Sequence, residues 1–173
     1  MRMRNYNRFK YQTRKKSFKA FLNNLPEDYD YNYVDKYHET LLIAAICNNN
    51  IELIKILLER DADINGDRRA KYYPIEIASL NGSTEIVRLL CNSEKLDITR
   101  EDDASLIYGA MNGSNDIIKL LLEKGYDINK VIEGRVALHW AVQEHHIDTV
   151  ELLITKGAQV NLLDRSIGYS QES

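Results

Sequence analysis

One pattern of roughly 33 residues is written four times in this chain, and a period of about that length marks a stack of helix pairs. The copies open at Thr40-Leu-Leu-Ile-Ala-Ala, Tyr73-Pro-Ile-Glu-Ile-Ala, Ala104-Ser-Leu-Ile-Tyr-Gly-Ala and Val136-Ala-Leu-His-Trp-Ala. Each passes through a polar break into an apolar run: Leu53-Ile54 to Leu57-Leu58, Ile86-Val87 to Leu90-Cys91, Ile117-Ile118 to Leu121-Leu122, and Thr149-Val150 to Leu153-Ile154. Three copies close with Asp63-Ile-Asn65, Asp127-Ile-Asn129 and Gln159-Val-Asn161. A unit of this kind buries its apolar face only against its neighbours, so the chain builds an extended surface. Binding, rather than catalysis, is the function such an architecture implies.

The first copy shows the physics. The Thr40 hydroxyl is placed to cap a short helix over residues 41–48. Ala45 matches Ala78, Gly109 and Ala141, and a small side chain there lets neighbouring helices approach. Asn49, Gly82, Gly113 and His145 fall at the following turn. Glycine accepts a positive φ, asparagine is next best, and histidine is less suited. In the second helix Leu53, Ile54, Leu57 and Leu58 form one apolar stripe. That helix ends near Asp61, or near Gly125 and Gly157 in later copies, where a left-handed residue stops it.

These residues resemble the ankyrin repeat: a Thr-Pro-Leu-His helix start, a glycine turn, a Leu-Leu helix and a Gly-Ala-Asp-Val-Asn close before a β-hairpin. The resemblance covers roughly residues 30 to 168 and is carried best by Leu57-Leu58-Glu-Arg-Asp-Ala-Asp-Ile-Asn65, Leu121-Leu122-Glu-Lys-Gly-Tyr-Asp-Ile-Asn129 and Gly157-Ala-Gln-Val-Asn161. It implies an all-α ankyrin-repeat solenoid, with helix-turn-helix units joined by β-hairpin loops. No copy has the full helix start, since Pro74 is the only proline there and His139 the only histidine. For His139 the resemblance implies a hydrogen-bonding role at the start of its helix. Copy two closes with Asp97-Ile98-Thr99 after an extra residue, so its hairpin is expected to be irregular.

The resulting organisation is a basic arm (1–16), a degenerate capping half-repeat (17–36), four repeats (about 37–69, 70–100, 101–132 and 133–168) and a tail (169–173). Asp30-Tyr31-Asn32 sits where a repeat would close, and Phe18, Phe21, Leu22 and Leu25 have helical spacing. At the other end Asp164 and Gly168-Tyr-Ser170 begin a fifth repeat that does not develop. Ile147, Val150, Leu152, Leu153 and Ile154 of the last helix are therefore expected to want cover, by self-association or a partner.

The chain carries 23 basic and 26 acidic residues, a net charge of -3. Arg2, Arg4, Arg8, Lys10, Arg14, Lys15, Lys16 and Lys19 lie in a stretch without acids, leaving 15 basic residues against 26 acids in the remainder. Such an arm admits several readings. It could hold nucleic acid, with Tyr6, Phe9 and Tyr11 as stacking groups. It could sit on an anionic membrane, at about 1 kcal/mol per basic residue near the surface. It could be an address, with Arg14-Lys15-Lys16 resembling a nuclear signal and the acid-free stretch a transit peptide, or a solvated tail against the acidic body.

For a partner protein, the resemblance implies a concave face made by first-helix positions: Ala44, Ile77, Tyr108 and Trp140; Cys47, Leu80, Met111 and Gln143; Asn48, Asn81, Asn112 and Glu144. Leu80, Tyr108, Met111 and Trp140 are of the types that interfaces favour, with Gln143 beside them. Tyr108 and Trp140 equally fit packing between adjacent first helices. The hairpin tips add Arg68, Arg69 and Tyr72 on one loop and the acidic Glu101-Asp102-Asp103 on the next, whose opposite charges could select a partner.

No glycine-rich phosphate loop, nucleophile elbow or Cys-His constellation is visible, so no catalytic residue and no cofactor are expected. His139, His145, His146 and Asp148 lack the spacing of a metal site. No apolar run reaches the ~18 residues of a membrane span, no secretory signal follows the basic start, and Cys47 and Cys91 read as reduced thiols. A cytoplasmic, host-cytosolic or nuclear protein is expected. The abundance of Asn, Ile, Lys and Tyr, together with the resemblance, points to an intracellular bacterium or a large virus addressing host proteins.

Overall fold

The computed structural model describes residues 29–35 and 38–162. The basic arm, the capping residues 17–28, Asp164, Gly168 and the tail lie outside them. The described residues form eight helices: α1 (Leu41–Cys47), α2 (Ile51–Glu59), α3 (Pro74–Leu80), α4 (Thr84–Cys91), α5 (Ser105–Met111), α6 (Asn115–Lys124), α7 (Ala137–Gln143) and α8 (Ile147–Thr155). The chain divides into two compact units, Met1–Asp97 with α1–α4 and Ile98–Ser173 with α5–α8.

Within every repeat the turn between the helices is closed in the same way. Asn50, Ser83, Ser114 and His146 each donate a backbone N–H to the carbonyl of the small residue five positions earlier, at 2.9–3.0 Å. Those small residues are the expected Ala45, Ala78, Gly109 and Ala141, all buried. The bond requires a left-handed residue in between, and Asn49, Gly82, Gly113 and His145 have φ of 52°, 67°, 63° and 59°. Three second helices end on a left-handed residue too. Asp61, Gly125 and Gly157 let Ala62, Tyr126 and Ala158 bond back to Leu57, Leu121 and Leu153 at 2.9–3.1 Å. Copy two lacks this stop, and its α4 ends through Asn92 in a right-handed conformation.

Leu53, Ile54 and Leu57 of α2, Ile86, Val87 and Leu90 of α4, and Ile117, Ile118 and Leu121 of α6 are fully buried. Glu52, Lys55, Glu59, Arg88 and Lys119 face solvent. The first helices are more immersed: in α1 every residue from Leu41 to Ile46 is buried.

The connecting loops differ from the expected β-hairpins. Among the described residues only Ile132 and Arg135 form an antiparallel bridge, across a turn at Glu133 (φ 51°) and Gly134 (φ 82°). The loop at 66–72 instead folds around Asp67, whose carboxylate accepts from the Arg69 N–H at 3.0 Å and whose carbonyl accepts from Ala70 at 2.9 Å. A side chain that caps its own turn leaves no ladder to extend.

Leu57→Ala or Leu121→Ala is expected to lower stability by about 2–5 kcal/mol, because each empties a fully buried leucine site. Chemical denaturation measures it. A loss under about 0.5 kcal/mol, the size of a surface change, would place the stripe in solvent.

Candidate partner-binding surfaces

Each first helix presents its outer residues from a start that the sequence fixes differently in every copy. In α1 the Thr40 hydroxyl accepts from the Ile43 N–H at 3.3 Å. In α3 Glu76 reaches back, and one carboxylate oxygen accepts from the Tyr73 N–H at 2.8 Å. In α7 His139 does the same through Nδ1, which accepts from the Val136 N–H at 3.2 Å. Nδ1 is then the acceptor, so Nε2 carries the proton and donates to the Leu162 carbonyl at 2.9 Å. His139 thus has the hydrogen-bonding role that the sequence implied.

In α5 the start is made by Asp103, which corrects one expectation. Asp103 does not stand at an acidic loop tip; it is only 2% exposed. Its carboxylate accepts from the Ser105 N–H at 2.8 Å, from the Ser105 hydroxyl and from the Tyr126 hydroxyl at 3.1 Å. A carboxylate two residues before the first helical residue is drawn in to satisfy an orphan donor of the first turn. Glu101 and Asp102 remain exposed.

The Asp-x-Asn closings hold successive loops. Asp30, Asp63 and Asp127 each accept from the N–H of the asparagine two residues on, at 2.9 Å. Those asparagines, Asn32, Asn65 and Asn129, then accept from the N–H of Asp63, Asp97 and Gln159, at 2.6, 2.8 and 2.8 Å. Position 99 is threonine, which lacks the carboxamide.

In the first unit, Leu80 at the end of α3 is 39% exposed. Ala44 and Ile77, expected beside it on the open face, are buried. Cys47 is half-buried, and the Asn48 amide donates to the Ala44 carbonyl at 2.8 Å. In α1 and α3 every residue before the last is buried, so only the helix end is open. The loop side chains are engaged among themselves. Arg69 binds Asp67 through Nε at 3.1 Å and a terminal nitrogen at 3.0 Å, and His38 Nδ1 meets the same carboxylate at 3.0 Å. Arg68 is exposed and 3.9 Å from Asp97. The Lys71 ammonium lies 4.6 Å over the half-buried Tyr72 ring.

In the second unit α5 and α7 pack side by side. Tyr108 and Met111 on α5 and Trp140 on α7 are half-buried, while Gln143 is exposed. The Arg135 guanidinium lies 4.8 Å over the Trp140 ring and donates to Gln143 Oε1 at 2.6 Å. Gln143 in turn donates to Glu144 at 3.1 Å. The sequence reading missed Arg135; its place beside the one bridged loop is what brings it over the tryptophan. His146 also has a structural place: Nε2 donates to the Met111 carbonyl at 2.9 Å, and the ring lies against Gly113.

The last helix pair is open. Val142 is 56% exposed and Ile147 64%, with Ile154 and Val160 also exposed. Ile46, Ser79 and Ala110, which hold the place of Val142 in earlier copies, are fully buried. Of the remaining apolar residues on α8, Val150 and Leu152 are half-buried and Leu153 is fully buried.

Residues 11–102 and 99–164 match the family described as ankyrin repeats (3 copies). The chain is 34% identical over 98 residues to a putative ankyrin repeat protein of Rickettsia felis, covering 54% of this chain and 23% of that protein. It is 29% identical over 124 residues to a putative ankyrin repeat protein of Fowlpox virus, covering 71% and 29%. With one from Acanthamoeba polyphaga mimivirus the identity is 31% over 134 residues, covering 76% and 26%. The chain spans less than a third of each of these relatives. The crystal structure of the ankyrin repeat protein EF0377 aligns with a TM-score of 0.77 and 32% identity, over 93% of this chain and 85% of that one.

The loop at 66–72 gives a prediction. Hydrogen bonds from Arg69 first, and then from His38, hold the Asp67 carboxyl below the usual aspartate range. A depressed value in the folded state means that the stabilisation is present above the unfolded value of about 3.9 and is lost as pH falls through the folded one. An NMR titration of the Asp67 carboxyl is expected to show a midpoint below the ordinary one, and Arg69→Ala to raise it. An ordinary midpoint in the intact chain would show that the ion pair does not hold in solution.

Proposed function

Because the chain belongs to the ankyrin repeat family, whose repeats generally mediate protein–protein interaction, we propose that it is a non-enzymatic adaptor. It holds another protein against the open sides of its first helices, in the cytosol of a host cell. The observation that carries this reading is Trp140, a half-buried aromatic side chain at the surface of α7 covered on one face by Arg135, which Gln143 in turn binds. Tryptophan is among the residues that dominate interface energetics, and an anchor already ordered in the free protein loses little entropy on binding. Met111 and Tyr108 on α5 extend that surface; in the other unit, by itself, Leu80 is the apolar group that α3 leaves open. The similarity to proteins of Rickettsia felis and of two viruses supports a host-directed role. The family is typically a non-enzymatic interaction module. No helix among the described residues is long and apolar enough to cross a membrane.

Partners captured with the intact chain would be tested by calorimetry against variants whose circular dichroism is unchanged. Trp140→Ala, Met111→Ala and Leu80→Ala are each expected to cost about 1–2 kcal/mol of binding. Glu52→Ala, Arg88→Ala and Lys119→Ala, on the outer sides of the second helices, are expected to cost nothing measurable. The reverse pattern would remove the first-helix surface from consideration. Binding that vanishes without residues 1–16 and falls steeply with salt would instead assign it to phosphate contacts of the arm.

Self-association is a second use of the fold, favoured by the exposure of Val142 and Ile147. Exposed apolar patches of this kind mark contact sites. Sedimentation is expected to show concentration-dependent dimers that Ile147→Asp abolishes. A strictly monomeric chain at all concentrations would end that reading.

A further inference from the structure

The sequence contains three Asn-Gly pairs, Asn65-Gly66, Asn81-Gly82 and Asn112-Gly113, and the fold treats them differently. Asn65 is pinned at both ends of its carboxamide: Nδ2 donates to the Lys95 carbonyl at 2.8 Å and Oδ1 accepts from the Asp97 N–H at 2.8 Å. Gly66 behind it is buried, and a Cβ there would lie 3.0 Å from the Pro74 ring. The Asn112-Gly113 turn is clamped by His146, which donates to the Met111 carbonyl and whose Nδ1 would lie 2.8 Å from a Cβ on Gly113. Asn81 differs from both. Like Asn112 it is an exposed C-cap of a first helix, but Gly82 behind it is exposed as well, whereas Gly113 is half-buried against His146. Its carboxamide has no hydrogen-bond partner among the described residues.

We propose that Asn81 is a site of spontaneous deamidation in the folded protein, and that Asn65 and Asn112 are protected from it. The backbone nitrogen of Gly82, having lost its proton to solvent base, attacks Cγ of Asn81. A C–N bond forms, the side-chain nitrogen leaves as ammonia, and a five-membered succinimide remains. One water then opens the ring. Cleavage on one side gives aspartate, and on the other an isoaspartyl link whose main chain runs through the former side chain. Water enters, ammonia leaves, and no oxidant or reductant is involved. Glycine as the next residue leaves the attacking nitrogen unshielded by any Cβ. The hydrogen bond holding that nitrogen back is the turn bond from Gly82 to the Ser79 carbonyl at 3.1 Å, and bonds of this kind at exposed turns open readily by local fluctuation.

The products disturb the fold where they form. A new negative charge sits at the C-terminal end of α3, which the helix dipole disfavours. The isoaspartyl form lengthens the main chain in a turn that depends on Gly82 at φ 67° and on the 2.9 Å bond from Ser83 to Ala78. Leu80 is the adjacent residue. If Leu80 contacts a partner as proposed above, ageing at Asn81 disables that contact; the modification itself does not depend on that reading.

The test incubates the folded full-length chain at mildly alkaline pH beside the same chain in urea. Mass spectrometry of digests then follows the amide-to-acid mass gain at each Asn-Gly pair. In urea the three are expected to react at similar rates. In the folded chain Asn81 is expected to lead Asn65 by about tenfold, since two hydrogen bonds must break to free the Asn65 amide. Asn81→Gln is expected to remove the early acidic species while leaving circular dichroism unchanged. Equal rates at Asn81 and either protected site in the folded chain would overturn the proposal. So would an Asn81 that stays intact while the unfolded chain reacts completely.

Discussion

Everything in this chain hangs on one close approach, the passage of the second helix across the small residue in the middle of the first. At Ala45, Ala78, Gly109 and Ala141 the carbonyl must receive an N–H from the residue five places on, and the helix that follows must then lie against the same spot. Gly109 shows how little room is left. A Cβ there would stand 3.3 Å from Ile117 and 3.3 Å from Ile118, tighter than ordinary contact. In a core packed as densely as a crystal, a side chain larger than a methyl at this position has nowhere to go. The left-handed residue in the turn follows from the same bond, because no right-handed path returns the chain to that carbonyl.

The rest of the unit tolerates more variety than this one point, and the helix starts show why. The orphan N–H groups at the head of a seven-residue helix must find an acceptor, but any oxygen or nitrogen at suitable reach will do. Thr40, Glu76, Asp103 and His139 answer with three different groups, a hydroxyl, a carboxylate and an imidazole, placed at three different positions relative to the helix. The site is held by a role rather than by a residue. A histidine or an acid in this region therefore says more about capping than about catalysis, as Glu76, buried and bonded to Tyr73, makes plain.

Local geometry was legible in the sequence where a single residue type answers a single backbone need. Asn49, Gly82, Gly113 and His145 were placed in their turns correctly, as were Asp61, Gly125 and Gly157 at the helix ends, because φ is a property of one residue. Leu57 and Leu121 were read into the core because periodicity fixes a face. Burial of the first helices was not legible. Ala44 and Ile77 share a spacing with Tyr108 and Trp140, yet lie inside, since exposure depends on what packs around a helix and not on its own period. The asparagine bonds were invisible for a related reason. Asn32, Asn65 and Asn129 find their partners about a repeat away, and the recurrence of Asn at the third closing position was their only trace. Asp103 was misplaced because charge alone suggested solvent, whereas the donors of Ser105 and Tyr126 hold it inside at a helix start.

These facts together bear on what could select a partner. The charged loop tips look like the natural recognition elements, but most of their charge is already engaged. Arg69 and His38 share Asp67, and Lys95 meets Asp61 at 2.7 Å, holding its carboxyl below the usual range. Charges already paired in this way add little to affinity, because a partner must first displace one member. Arg135 is likewise tied to Trp140 and Gln143. What the first-helix surfaces leave open is mainly apolar: Leu80 in one unit, and Met111 and the Trp140 ring in the other. Affinity on such a surface would come from burying apolar area, at about 25 cal/mol per Å², with the paired charges arranged around it acting on orientation and encounter rate.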